Sequence, residues 1–353
     1  MEVTIAQAYD LMLDAIKAGL VINLSGSPGI GKSDLTRKVA HDFNLKVIDI
    51  RLSQCDPTDL NGFPFVDPKT GRSGYAPPMM FPLEGDPLPE ILDANGKGTG
   101  KFYDGWMIFF DELSSASMAV QAASYKVMLD REIGQHKLHP RVAMVCAGNL
   151  ATDRAVVNRM STAMQSRLIH LNLVPDIEGF VEWAYQNGID RRIIAFLLWR
   201  PELLHKFDPK HDDNTYPCSR TWYFLSKLIK QYIKLDEKKQ PLYAGTVGEG
   251  TSFEFVAFAK VWSTLPTIDK ILADPNNVVI PDPEDDPSIL FALSTMLGEA
   301  GTDMNLPTLM KVIDRMPPEF QSLTMTRIIK SNTIPVNNKI LKKWSAENSD
   351  ELM

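Results

Sequence analysis

The stretch Gly26-Ser27-Pro28-Gly29-Ile30-Gly31-Lys32-Ser33 fits the pattern G-x-x-x-x-G-K-[ST] of a phosphate-binding loop. Leu20-Val21-Ile22-Asn23-Leu24 before it reads as a buried strand. Asp34 to Phe43 after it has helical spacing, with Leu35, Val39 and Phe43 on one face. A strand entering and a helix leaving is the context this loop needs. Glycines let the backbone curl so that its N–H groups point inward at a phosphate. The start of the helix adds free N–H donors and partial positive charge. The pattern assigns Pro28, Gly29, Ile30, Gly31, Lys32, Ser33 and Asp34 to a nucleotide cradle. Lys32 would reach the β- and γ-phosphates, and the Ser33 hydroxyl would bind Mg²⁺. The alternative is a glycine-rich turn that matches by chance, and the flanking strand and helix weigh against it.

The neighbouring sequence repeats that alternation. Ile5, Ala8, Tyr9, Leu11, Met12, Ile16 and Leu20 give an amphipathic helix over 4–19. Lys46 to Leu52 is a strand alternating Ile48, Ile50 and Leu52 with Asp49 and Arg51. Trp106-Met107-Ile108-Phe109-Phe110-Asp111-Glu112 is an apolar strand ending in two acids, followed by a helix over Ser117–Leu129. Arg141 to Asn149 is another buried strand. A helix carrying Met160, Met164 and Leu168 leads to a last strand, Leu168 to Leu173. Strands alternating with helices call for an α/β fold with a parallel sheet sandwiched by helices. Beyond Pro175 only helices follow, over 177–187, 189–206, 219–235 and 252–264, then 288–298, 306–315, 317–331 and 336–346. An acidic linker, Pro281 to Pro287, separates the two groups. The expected organisation is a nucleotide-binding core over 1–174, an all-α lid over 175–270 and a helical C-terminal extension over 271–353.

Residues 53–104 hold eight prolines and seven glycines, so they cannot form one regular element. They also carry Phe63, Phe65, Tyr75, Met79, Met80, Phe81, Phe102 and Tyr103. Short hairpins or loops packed on a neighbour fit that composition, and disorder over 84–100 is the alternative. The formal charge of −7 argues against a surface built mainly for duplex nucleic acid, though not against a local basic channel. No apolar run reaches the ~20 residues of a membrane helix. Cys55, Cys146 and Cys218 are far apart and not at ligand spacing, which suits reduced thiols and a cytoplasmic setting.

In a parallel sheet the strand ends open onto the edge where ligands bind. Asp111 would hold Mg²⁺ there and Glu112 would orient the attacking water; a strand capped by acids for solubility is the alternative. Asn149 could hydrogen-bond the γ-phosphate or the water, although Gly148-Asn149 is also a common turn pair. Arg159 and Arg167 stand before the last strand, where an arginine could reach a neighbouring subunit's nucleotide as a finger, or form a surface ion pair. Arg220 opens a helix of the second part, an unfavourable place for a cation beside the helix dipole. From there it could reach back to bound phosphates.

The phosphate loop, Phe109-Phe110-Asp111-Glu112, Asn149, Ser166-Arg167-Leu168 and Ser219-Arg220-Thr221-Trp222 come in an order that resembles AAA+ ATPases. The chain looks most like the MoxR-like branch with its NorQ/CbbQ-type members, and Asp59-Leu60-Asn61-Gly62 resembles that branch's "DLxG" loop. The resemblance covers residues 1 to about 265. It implies a hexameric ring of this chain binding ATP and Mg²⁺ at subunit interfaces. It also implies a protein client, with a von Willebrand factor A type domain as a candidate, on which the ring acts as a chaperone or remodeller. Loops near 58–65 and at Gly134-Gln135-His136-Lys137 would face the ring centre or one ring surface. One departure is Gln165-Ser166-Arg167-Leu168, where the branch more often has Asp-Arg-Phe; it leaves the finger's identity between Arg167 and Arg159. A nucleic-acid motor or clamp-loader-like ATPase is the alternative function, and a nucleotide-gated scaffold with negligible turnover is a third.

Overall fold

The computed structural model describes residues 1–150, 158, 160–210, 213–282, 287–330, 334–335 and 337–348. The chain divides into two compact units, Met1–Gly179 with Phe207–His211, and Phe180–Lys206 with Asp212–Met353. In the first unit the elements begin β1 (Glu2–Val3), α1 (Ile5–Lys17), β2 (Ile22–Ser25), α2 (Lys32–Asp42) and β3 (Leu45–Arg51). Next come α3 (Pro57–Asn61) and two hairpins, β4 (Phe63–Val66) with β5 (Ser73–Ala76) and β6 (Glu90–Leu92) with β7 (Gly98–Phe102). The unit ends with β8 (Gly105–Asp111), α4 (Met118–Leu129), a small hairpin β9 (Glu132–Ile133) with β10 (His136–Lys137), β11 (Val142–Gly148), α5 (Thr162–Gln165) and β12 (Ile169–Leu173).

Six of these strands form one parallel sheet in the order β1-β12-β2-β11-β8-β3. The central strands are apolar on both sides because both sheet faces are covered. On β8, Trp106, Ile108 and Phe110 enter one core with Met144 and Cys146 of β11. Met107 and Phe109 enter the other, with Val145, Ala147 and the buried residues of α1 and α2. The register pairs Ser25 with Gly148 and with Asn172, and Arg51 with Asp111, so the strands reach one carboxyl edge together. This is the expected α/β architecture.

Some expectations change in detail. Helix α1 is shorter than 4–19, and Leu11 and Leu20 are exposed rather than part of its buried stripe. That stripe consists of Ala8, Met12 and Ala15. The helix before β12 is only the four residues of α5; it contains Met164, but Met160 precedes it and Leu168 follows it. Residues 90–100 belong to the β6–β7 hairpin, and 84–89 are the turn and loop that lead into it. In 53–104 the hairpins form, but Phe63, Phe65, Tyr75, Met79, Met80 and Phe102 stay exposed, while Phe81 is buried in the core with Leu60. The short strands supply too little surface to bury their own aromatic residues.

The second unit is helical: α6 (Ile177–Gln186), whose first turn belongs to the first unit, α7 (Arg191–Trp199), α8 (Ser219–Ile229), α9 (Gln240–Val247), α10 (Glu249–Trp262), α11 (Ile268–Ala273), α12 (Pro287–Ala300), α13 (Leu306–Ile313), α14 (Pro318–Lys330) and α15 (Lys339–Glu347). Helix α8 stops at Ile229, short of the expected 235. Buried Arg192 donates to the carbonyls of Ile229 and Ile233 at 3.0 and 3.3 Å, closing the helix end, while Ile233 is left in solvent. Helices α9 and α11 were not expected. Phe196, Trp222, Phe255 and Phe258 form one aromatic core, with ring centroids 5.5 to 5.9 Å apart. Helix α12 packs against α7 and α14, burying residues around its circumference, so helices from both sides of the 281–287 stretch share this unit. Of that acidic stretch, Glu284, Asp285 and Asp286 lie outside the described residues.

All three cysteines are free. Cys146 and Cys218 are buried and Cys55 is partly exposed. No helix among the described residues is long and apolar enough to cross a membrane.

Candidate functional site

Residues 26–31 turn from the end of β2 into α2. Gly29 and Gly31 have φ of 80° and 110°, in the left-handed region that costs an L side chain roughly 1–2 kcal/mol. Between them Ile30 is buried in the core beneath the loop and pins it. Gly26 donates its N–H to the Gly148 carbonyl at 3.3 Å, which ties the loop to the end of β11. A Cβ on Gly26 would lie 3.2 Å from Leu173 at the end of β12.

Lys32 is 8% exposed and bends back over the loop. Its Nζ donates to the carbonyls of Gly26 and Ser27 and, at 3.2 Å, to Asn149 Oδ1. Asn149 is itself fixed, since its N–H donates to Ser114 Oγ at 3.0 Å. The Ser33 hydroxyl donates to Asp111 Oδ2 at 3.4 Å. Four of the expected residues, from three separate stretches of chain, therefore meet at the sheet edge. Asp34 takes a different position: its carboxylate is exposed and pairs with Arg37 at 3.5 Å, leaving its main-chain N–H as its contribution to a cradle.

Burial raises the Asp111 pKa above the usual carboxylate value. The Glu112 N–H and Lys32 pull the other way, and the charges of Glu112 and Asp49 add to the rise. A partly buried carboxylate that resists ionisation beside a serine hydroxyl suits a divalent cation, which supplies the missing positive charge. The residues present therefore fit Mg²⁺, which Ser33 and Asp111 could hold between them. The same edge fits a polyphosphate, with Lys32, the α2 N-terminus and the loop amides around it.

Glu112 has a φ of 58°, uncommon for a residue with a side chain. Its carboxylate accepts a hydrogen bond from the Ser53 hydroxyl. Ser53 lies in the 3-10 turn after β3, level with Glu112 because Arg51 is paired with Asp111. Nothing in the local sequence marks Ser53; only the β3–β8 register brings it there.

Arg167 lies just before β12 and is exposed. Its Nη1 donates to the Tyr125 hydroxyl at 2.8 Å and to the Ala163 carbonyl at 3.0 Å. Among the described residues those two groups are what its side chain contacts by hydrogen bond. Arg159 lies outside the described residues. Arg220 stands in the first turn of α8 in the second unit and is exposed.

No family model matches the chain, and no curated protein matches it. Among solved structures it is similar to a protein of Cytophaga hutchinsonii described as a candidate ATPase. The two are 17% identical, the match covers 68% of this chain and 62% of that one, and the TM-score is 0.36. This chain thus spans less than two thirds of that protein's length. It is also similar to Thermotoga maritima RuvB, a Holliday junction branch migration motor, at 14% identity, 77% and 75% coverage and a TM-score of 0.36. At these TM-scores the likeness adds nothing to what the chain's own sheet order and loop geometry show.

Proposed function

We propose that the chain is a AAA+ ATPase of MoxR-like type that hydrolyses ATP at a site shared between neighbouring copies in a ring. The work of hydrolysis would remodel a protein client, for which a von Willebrand factor A type domain is a candidate. The observation that carries this reading is the meeting of Lys32 with Asn149 and of Ser33 with Asp111 at one sheet edge. In this reading residues 1–174 are the core, 175–270 the lid and 271–353 its extension.

The loop amides and Lys32 hold the β- and γ-phosphates, and Ser33 and Asp111 hold Mg²⁺. Mg²⁺ held by Ser33 and Asp111 would supply positive charge against the negative charge that develops on the phosphate. Asn149 moves from Lys32 to the γ-phosphate or the attacking water. Glu112, released from Ser53, orients that water toward phosphorus, whose bond to the β–γ bridging oxygen breaks. Arg167 of one copy reaches the γ-phosphate held by the next, with Arg159 as the other candidate; such a finger is worth about 10³–10⁵ in rate. Arg220 couples the lid to the bound phosphates.

The test mixes subunits. Glu112→Gln and Arg167→Ala variants, each inactive alone, should recover hydrolysis when combined, because some interfaces then carry an intact finger opposite an intact Glu112. No recovery, or full activity from dilute monomers, would refute the shared site. Capture of a client by the Glu112→Gln variant with ATP, and not without it, tests the remodelling role.

A further inference from the structure

We infer that Tyr125 is a positioning residue that presents Arg167 to the neighbouring copy; this rests on the reading of Arg167 as a finger acting in trans. Tyr125 lies on α4, which docks against the sheet through Val120, Ala123, Val127 and Met128. Its ring is partly buried against that core, so the position of its hydroxyl is fixed by packing. The hydroxyl accepts from Arg167 Nη1 at 2.8 Å, and the guanidinium carbon stands 5.8 Å from the ring centroid. The second hydrogen of the same nitrogen is taken by the Ala163 carbonyl at 3.0 Å.

Both anchors thus grip one corner of the guanidinium. Nε and Nη2 carry the remaining three N–H groups and have no partner among the described residues. Those two nitrogens form the edge that matches two oxygens of a phosphate side by side. Tyr125 and Ala163 leave that edge free and hold the rest of a long, exposed side chain in one rotamer. The ordering that a finger must undergo is then largely complete before a neighbour arrives, which is how preorganisation contributes to rate. A surface arginine whose only role was an ion pair would turn this edge toward a carboxylate of its own chain, and Arg167 has no such partner among the described residues.

The test compares Tyr125→Phe, Arg167→Ala and the double variant in the full chain, at a concentration where the wild type is assembled. Tyr125→Phe keeps the packed ring and removes only the hydroxyl, so the fold and elution volume should be unchanged. Turnover should fall about tenfold while KM for Mg·ATP moves by less than about twofold. The double variant should be no slower than Arg167→Ala, because both changes act through one group. Unchanged turnover in Tyr125→Phe, a loss confined to KM, or a further tenfold loss in the double variant would each overturn the inference. Wild-type turnover in Arg167→Ala would overturn the finger reading itself, which separates the two failures.

Discussion

Glu112 combines a left-handed backbone with a carboxylate turned toward Ser53. A hydrogen bond to an ionised group is worth about 1.5–3 kcal/mol, so the pair is a real brake on any movement of Glu112 toward a nucleotide. Ser53→Ala should therefore raise basal turnover in a steady-state ATPase assay, and a fall would assign Ser53 a supporting role instead. Asp111 supplies a second residue-scale prediction. Its raised pKa means the native state holds its proton longer than the unfolded chain does. Its contribution to stability is then present at low pH and declines as pH rises through its folded pKa. At neutral pH Asp111→Asn should raise the melting temperature of the metal-free protein and lower Mg²⁺-dependent hydrolysis by about 10²-fold or more. Calorimetry and a turnover assay on one preparation would check both. At this scale Lys32, Ser33, Asp111 and Asn149, which meet at the sheet edge, were readable as one loop pattern and two strand ends. Ser53, Ser114 and Tyr125 were not, because single hydroxyls carry no pattern until sheet register and helix docking choose their neighbours.

Elements show how short pieces depend on one another. The β9–β10 turn docks on β5 through one amide: Gln135 Oε1 accepts from the Tyr75 N–H at 2.9 Å, and its Nε2 donates to the Tyr75 carbonyl at 3.0 Å. The side chain thereby copies a strand pairing, and His136 reaches the same carbonyl. Gly134 makes the approach possible: it has a φ of 58°, and a Cβ there would fall 2.7 Å from Tyr75 Cβ and 2.9 Å from the Asn61 carbonyl. Gly134→Val should undock the two hairpins and hasten proteolysis around 67–72, with nucleotide affinity unchanged. In the second unit, Glu299 on α12 pairs with Arg191 of α7 at 2.7 Å, with Tyr185, Asp190 and Arg327 also near it. Burial pushes its pKa up to about 7. The native state then binds more protons than the unfolded chain between the ordinary glutamate range and about 7. The contribution of this group is complete below that window and lost as pH rises through it. Glu299→Gln should flatten the fall in urea midpoint from pH 5 to 8. Apolar strands and amphipathic helices were readable because their period is local. The end of α8 was not, because Arg192 comes from an earlier helix, and α9 and α11 are short segments with weak patterns.

For the molecule as a whole, the central prediction concerns concentration. If Arg167 serves a neighbour, specific activity should rise with protein concentration and level off where sedimentation shows a closed assembly; activity constant on dilution would contradict it. A net charge of −7 also leads us to expect no salt-sensitive stimulation by DNA or RNA. The parallel sheet and its ligand edge were legible at this scale because strands alternating with helices call for that architecture; the order of the strands was not. A surface that meets another chain carries no internal partner to betray it, so the proposed ring and client rest on the resemblance and not on any pattern in the residues. The burial of the cysteines has a practical consequence. Cys146 and Cys218 are shielded, which leaves Cys55 as the thiol a maleimide dye would meet first, two residues beyond Ser53. Its pKa is raised by burial and by Asp59 and Asp56, so labelling should be slow at neutral pH and faster in mild alkali. The chain, with no residue substituted, would then carry a fluorophore beside the Ser53–Glu112 contact, and its emission would report in real time when that contact opens.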